Sequence, residues 1–168
     1  LWVYSGMTRR FPSNFRELHT WLSEAEHGEA LNVEMVSGAC FLARRSYLEE
    51  IGGFDSALFL YEEELDVMLP AHRNGLYIRY CPEAEVVHHG GQSTSAHPGA
   101  FALLHTFRSK YYVFAKHYGR RYALATYLTD LALFRLSTLF HPLRPHPLLT
   151  AAREGWRAAR TVWTSPRP

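Results

Sequence analysis

Residues 98–168 are cut into three pieces by Gly119 and by the proline-rich run His141-Pro-Leu-Arg-Pro-His-Pro147, and each piece reads as a helix. In the first, Phe101, Leu104, Arg108, Tyr111, Ala115 and Tyr118 recur at the three- and four-residue spacing of one helix face, although Arg108 keeps the stripe from being purely apolar. The second, Tyr122 to Phe140, is strongly apolar but carries Asp130 and Arg135. A span of about 20 apolar residues can cross a bilayer, yet two charges in its interior are costly there, so this segment is expected to pack on a core or lie in an interface. The third carries Trp156 and Trp163. The C-terminal region is therefore expected to be helical.

The preceding residues, 1–97, mix helix and strand signals. Phe15, Leu18 and Leu22 predict a connecting helix from about Ser13 to Ala25. Val33 to Ala43 predicts a strand, a backbone break at Gly38 and a buried continuation. Ser46 is placed to cap a short helix through Ile51, stopped where Gly52-Gly53 permits a left-handed turn. A second helix is expected from Tyr61-Glu62 to Asn74-Gly75, with acids in its first turn, His72 and Arg73 in its last, and a kink at Pro70. Leu76 to Tyr80 and Ala84 to His88 read as short strands around Pro82, and Gly90 to Ser95 as a flexible loop that could serve as a lid.

The length of 168 residues and 47% apolar content support one core and exclude a large two-domain enzyme. Cys40 and Cys81 have no CxxC spacing and are expected to be reduced, buried thiols, which points to a cytosolic face. The opening Leu1-Trp-Val-Tyr4 has no signal-peptide pattern, and the chain is expected to begin inside a longer gene product. Charge is strongly polarised. Residues 1–85 hold seven Lys and Arg against fourteen Asp and Glu, whereas residues 86–168 hold eleven against two. Between Glu85 and Asp130, Arg108, Lys110, Lys116, Arg120 and Arg121 alternate with Tyr111, Tyr112, Phe114, Tyr118 and Tyr122. Basic residues among interfacial aromatics suit an anionic membrane surface, and the same mix would serve nucleic acid.

Two places carry residues suited to chemistry. Tyr61-Glu62-Glu63-Glu64-Leu65-Asp66 puts four carboxylates into six residues; on a helix starting there, Asp66 shares a face with Glu62 and Glu63, while Glu64 points elsewhere. Crowded carboxylates raise one another's pKa, as a general base near neutral pH requires, but acids at a helix start also simply favour its dipole. His88-His89-Gly90-Gly91 follows a run of branched residues. Neighbouring side chains on a strand point to opposite faces, so one imidazole could meet a divalent metal or diphosphate while the glycines let backbone approach a phosphate; a satisfied core or surface histidine is the other reading.

The ordered succession Ser37-Gly38-Ala39-Cys40, Gly52-Gly-Phe-Asp55, Tyr61 to Asp66, Pro82-Glu-Ala84 and His88 to Gly91 resembles the C-terminal half of the catalytic domain of family 2 nucleotide-sugar glycosyltransferases, especially rhamnosyltransferase-like members that build surface polysaccharides. The likeness covers roughly Val33 to Gly119. It implies an α/β fold: a partial GT-A, Rossmann-like half-domain with a small mixed sheet over 1–97, followed by an α-helical, membrane-associated region over 98–168. It implies inverting transfer of a sugar from a nucleotide-diphosphate donor to a carbohydrate or lipid-linked acceptor hydroxyl, with Mg²⁺ or Mn²⁺, at the cytoplasmic face of the membrane and without a nucleic-acid partner. By position, Glu63 and Glu64 fall on the family's Glu-Asp pair, Glu64 standing where the catalytic base is usually Asp. Asp66 falls on the second, structural or acceptor-binding acid, His88 on the metal- and diphosphate-associated histidine, Gly38 and Ala39 on the cleft lining, and Gly90 and Gly91 on the substrate-binding glycines. The chain has no Asp-x-Asp and no glycine-rich phosphate loop, so the resemblance implies the acceptor-side part of such an enzyme. A non-catalytic membrane-docking or partner-binding fragment is the alternative, and a metal hydrolase using His88, His97 and the Glu cluster lacks HExxH-type spacing.

Overall fold

The computed structural model describes residues 29–36, 38–84, 86–87, 99–140 and 147–164. The expected helix over 13–25 and loop over 90–95 lie outside them. The chain divides into two compact units, one formed by Leu1–Phe54 with Glu64–His88 and the other by Asp55–Glu63 with His89–Pro168.

The described part of the first unit contains strand β1 (Leu31–Val33), helix α1 (Arg45–Ile51), helix α2 (Glu63–Arg73, whose first residue clusters with the second unit) and strand β2 (Ile78–Tyr80). β1 and β2 pair antiparallel, Leu31 opposite Tyr80 and Val33 opposite Ile78. The described sheet is this one antiparallel pair, where a mixed sheet was expected. The chain just after β1 is tied to α2: His72 Nε2 meets the Glu34 carbonyl at 2.5 Å, and the Val36 amide donates to Met68 Sδ at 3.4 Å. Tyr47, Val67 and Ala71 form the centre of a small core, with Phe41, Leu48 and Ile51 packed against it. The Tyr47 hydroxyl donates to the Val67 carbonyl, so α1 and α2 share a buried polar contact as well as apolar surface.

Both helices of this unit stop as their glycines dictate. Gly52 lies at φ 83°, its amide bonds the Glu49 carbonyl, and the Gly53 amide bonds that of Leu48. The same pair of bonds recurs at Gly75 and Leu76, satisfying carbonyls that the helix end would leave bare. Several expectations fail here. Arg44, not Ser46, occupies the N-cap of α1 and makes no side-chain capping bond. Residues 38–43 are turn and coil with Leu42 fully exposed, so the chain after Gly38 is not a buried strand. Cys40 and Cys81 are free thiols but exposed. Ala84, Val86 and Val87 are not in a strand, and both valines face solvent. Of the apolar residues in these segments Phe41 packs on the core around Tyr47, whereas Leu42, Val86 and Val87 are left exposed.

The second unit packs helix α3 (Gly99–Tyr118) against α4 (Arg120–Phe140) and α5 (Pro147–Thr164). Gly119 at φ 92° turns the chain between α3 and α4, as its lack of a side chain allows. α3 is more enclosed than a single stripe predicts: Ser109 to Phe114 are all buried, around the whole helix circumference. Two buried features explain this. One is the small-residue seam Ala152, Gly155 and Ala159 on α5, which lets the backbones approach so closely that a Cβ on Gly155 would lie 2.6 Å from that of Phe107. The other is an aromatic cluster in which Trp156 stacks on Tyr127 at 4.7 Å and meets the edge of Tyr111 at 5.7 Å.

Asp130, the acid inside α4, has partners in this core. Lys110 Nζ donates to Asp130 Oδ1 and Oδ2 at 3.0 and 2.8 Å, and the Tyr111 hydroxyl donates to Oδ2 at 2.8 Å. Burial, with Asp130 adding to it, pushes the Tyr111 phenol far above its ordinary range. α4 is thus a core-packed helix, and no described helix is long and apolar enough to cross a membrane.

Candidate active site

The segment Asp55–Glu63 belongs to the helical unit, and one face of α3 is given over to holding it. Phe101, His105, Ser109, Tyr112 and Lys116 recur at spacings of four, four, three and four, which lines them along that face. At one end of the segment the Asp55 carboxylate accepts from Tyr112 Oη at 2.9 Å and Lys116 Nζ at 2.8 Å, and from the Ala57 amide at 3.0 Å. Burial alone would raise the Asp55 pKa, but the bonds from Lys116, Ala57 and Tyr112 outweigh it and hold the carboxyl below its usual range. At the other end the Leu60 carbonyl accepts from Ser109 Oγ at 2.8 Å. Between these anchors Phe59 sits edge-on to Phe101 and tilted against His105, with ring centres 6.3 and 5.1 Å apart.

The segment leads into an unusual elbow. Tyr61 and Glu62 both have positive φ, 64° and 67°, a conformation that costs a side-chain-bearing residue about 1–2 kcal/mol. Helix α2 begins immediately afterwards, so Glu63 and Glu64 occupy its first two positions and Glu62 stands outside it. The expected sharing of a helix face by Glu62 and Asp66 is therefore corrected, because the elbow turns Glu62 out of the helical path. Glu63 and Glu64 are half-buried, each with Oε2 inaccessible to solvent. No described residue hydrogen-bonds Glu63 Oε2. Asp66 is 5% exposed within the first unit. Gly38 and Ala39 lie exposed in the turn after β1. His88, Gly90 and Gly91 lie outside the described residues, as do His89 and His97.

A half-buried carboxylate at a helix start can act as a base toward a hydroxyl brought against it. Among the described residues no three His, Cys, Asp or Glu side chains gather to hold a metal, so these residues do not by themselves make a metal centre. Sequence reasoning did not single out Phe59 or His105, nor the tie that Asp55 makes, and it read Tyr112 and Lys116 only as part of a basic, aromatic run. The helical spacing of 105, 109, 112 and 116 was the available signal, overlooked because those residues are polar or aromatic and the apolar stripe beside them is more conspicuous.

The chain is 34% identical over 87 residues to the N-acetylglucosaminyl-diphospho-decaprenol L-rhamnosyltransferase of Mycobacterium tuberculosis, in both strain CDC 1551 / Oshkosh and strain ATCC 25618 / H37Rv. The aligned part is 52% of this chain and 28% of the relative, so the chain spans little more than a quarter of the length of the curated relatives it matches. No family model matches the chain. No solved structure matches it either. About half of the chain is thus similar to part of a glycosyltransferase.

Proposed function

We propose that this chain is the acceptor-side part of an inverting, family 2-like glycosyltransferase with a GT-A half-domain, and that it works at the cytoplasmic face of a membrane in surface-polysaccharide synthesis. The observation that carries this reading is the Tyr61-Glu62 elbow, which delivers Glu63 and Glu64 to the start of α2, in a chain similar to a rhamnosyltransferase. Backbone strain held next to a partly buried carboxylate pair is characteristic of functional sites. Glu64 accepts the proton of the acceptor hydroxyl as that oxygen attacks the anomeric carbon of a nucleotide-diphosphate sugar, and Glu63 supports it. Asp66, Gly38, Ala39, Gly90 and Gly91 line or support the substrate site. The Mg²⁺ or Mn²⁺ that the resemblance implies would offset charge on the departing diphosphate, and His88 is the residue of this chain that would hold it.

The relative's acceptor is, by its name, a lipid-linked sugar, and a lipid-linked acceptor brings the anionic membrane surface into the reading for this chain. The outer side of α4 supports that placement. Leu124, Leu128 and Leu136 are 42, 54 and 52% exposed at helical spacing, with Arg121 and Arg135 exposed beside them. An apolar stripe edged by arginines is the pattern of a helix resting on anionic lipid.

One assay tests the whole reading. In the protein as its gene encodes it, transfer from a nucleotide-diphosphate deoxyhexose to a lipid-linked N-acetylglucosamine in anionic liposomes is expected to be lost in Glu64→Gln with donor binding retained. It is also expected to stop with chelator and to fall when the acidic lipid is left out. Unchanged turnover in Glu64→Gln removes the base. Liposome binding by a wild-type protein that never transfers sugar would favour a docking module instead.

A further inference from the structure

The segment Asp55–Glu63 is anchored twice to α3 without using Phe59, through Asp55 to Tyr112 and Lys116 and through Leu60 to Ser109. Its central aromatic ring is nevertheless 70% exposed. A loop that needed Phe59 only for stability would bury it, because an exposed ring forgoes most of the burial energy a phenylalanine can give. What the surroundings supply is support from the side. Phe101 meets the ring at an interplanar angle of 86°, and His105 lies against both rings, 4.5 Å from that of Phe101. The imidazole Nδ1 is buried with no hydrogen-bond partner among the described residues, and burial together with the Arg108 charge lowers its pKa, so the histidine serves as a neutral packing ring.

The geometry points to Phe59 as a stacking platform for the acceptor sugar, an inference that rests on the sugar-transfer reading above. The face of an aromatic ring is electron-rich, and one face of a pyranose presents a patch of C–H groups that it attracts. A single exposed ring supported from the side fits one flat saccharide unit better than a long apolar chain. The ring also precedes Glu63 by four residues within the one segment that α3 anchors at Asp55 and Leu60, so a sugar resting on it lies a short stretch of chain from that carboxylate. Preorganisation of this kind cuts the entropy lost on binding. Phe59 is on this account a positioning residue that touches substrate and takes no part in proton transfer.

The test compares Phe59→Ala and Phe59→Trp with the wild type in the protein as its gene encodes it. Phe59→Ala is expected to raise the acceptor KM about tenfold, with kcat and donor KM within about twofold of wild type, and Phe59→Trp to restore most of the loss. Because the ring is exposed, both variants should keep the wild-type melting temperature. An acceptor KM unmoved in Phe59→Ala, or an equal rise in donor KM, overturns the platform. A second measurement does not depend on turnover: saturation-transfer NMR with methyl N-acetyl-β-glucosaminide as the probe, where signal seen in the wild type and lost in Phe59→Ala supports the platform and equal signal in both overturns it. A wild type without transferase activity would sink the sugar-transfer reading while leaving the NMR comparison to decide this one.

Discussion

Replacing Gly155 by alanine gives the helical unit a test whose sign is informative. At an open position inside a helix this change stabilises by about 1 kcal/mol, because glycine loses more backbone freedom on folding than alanine does. Gly155 is not open. Its Cβ would meet the Phe107 Cβ at 2.6 Å, the Arg108 amide nitrogen at 2.8 Å and the Phe107 carbonyl carbon at 3.0 Å, and two of those three are backbone atoms that no side-chain rotation can move. Carbon atoms rest about 3.5–4.0 Å apart, so α5 has to withdraw from α3 by about 1 Å, and a gap of that size forfeits a quarter to a half of the dispersion energy along the seam. Overpacking of this kind costs about 1–3 kcal/mol and, against the propensity gain, leaves the protein less stable by about 1–2 kcal/mol. For a unit of fewer than about 100 residues that lowers the melting temperature by about 4–8 °C per kcal/mol. Thermal unfolding followed by far-ultraviolet circular dichroism and tryptophan fluorescence measures it, since Trp156 is the next residue along and stacks on Tyr127. Gly99→Ala, at a site where an added Cβ meets nothing within 4 Å, is the control and should be neutral or mildly stabilising. A higher melting temperature for Gly155→Ala would refute the close approach of α3 and α5.

Two further perturbations separate structural charge from functional charge. Asp130→Ala leaves the Lys110 ammonium, itself 5% exposed, without the carboxylate that holds it, and should cost about 3–5 kcal/mol in urea unfolding; combining it with Lys110→Met should recover most of the loss, and a double variant as weak as the single would discount the pair. Asp55 has a folded-state pKa below its unfolded value of about 3.9, so the stability it contributes is present above that pH and is lost as the pH falls through the lower folded value. Asp55→Asn should therefore flatten the acid side of the stability profile below about pH 4, and superimposable acid limbs would show that its ties to Lys116 and Tyr112 contribute nothing.

The helices were legible because their signals are local. Gly52, Gly75 and Gly119 end α1, α2 and α3 within a residue or two of where their lack of a side chain says they should. The apolar length of α4 with a charge inside it correctly pointed to packing rather than to spanning a membrane, although the partner of that charge, Lys110 on another helix, could not be read from a single segment. The failures share a physical cause. Leu42, Val86 and Val87 carry the composition of buried strand residues, but burial depends on a facing layer, and none covers them among the described residues. The small-residue seam of α5 was overlooked for the opposite reason: Ala152, Gly155 and Ala159 stand out only when the neighbouring backbone is known to lie against them. At the candidate site, the carboxylate cluster could be seen in the sequence, but the elbow could not, because tyrosine and glutamate rarely adopt left-handed backbone and nothing local predicts that they will.

That elbow sharpens the functional reading. Elsewhere among the described residues the chain takes positive φ at Gly52, Gly53, Gly75 and Gly119, where the missing side chain removes the steric cost. At Tyr61 and Glu62 it takes the same conformation twice in succession with side chains present. Glycine would meet the backbone requirement more cheaply, so a need for the turn alone does not account for these two residues. The two residues stand between fixed neighbours: the Leu60 carbonyl is bonded by Ser109 on one side, and α2 begins with Glu63 on the other. Strain confined in this way offers no gain in stability. Its consequence is positional, since it fixes the residue at which α2 starts and so puts Glu63 and Glu64 in its first turn.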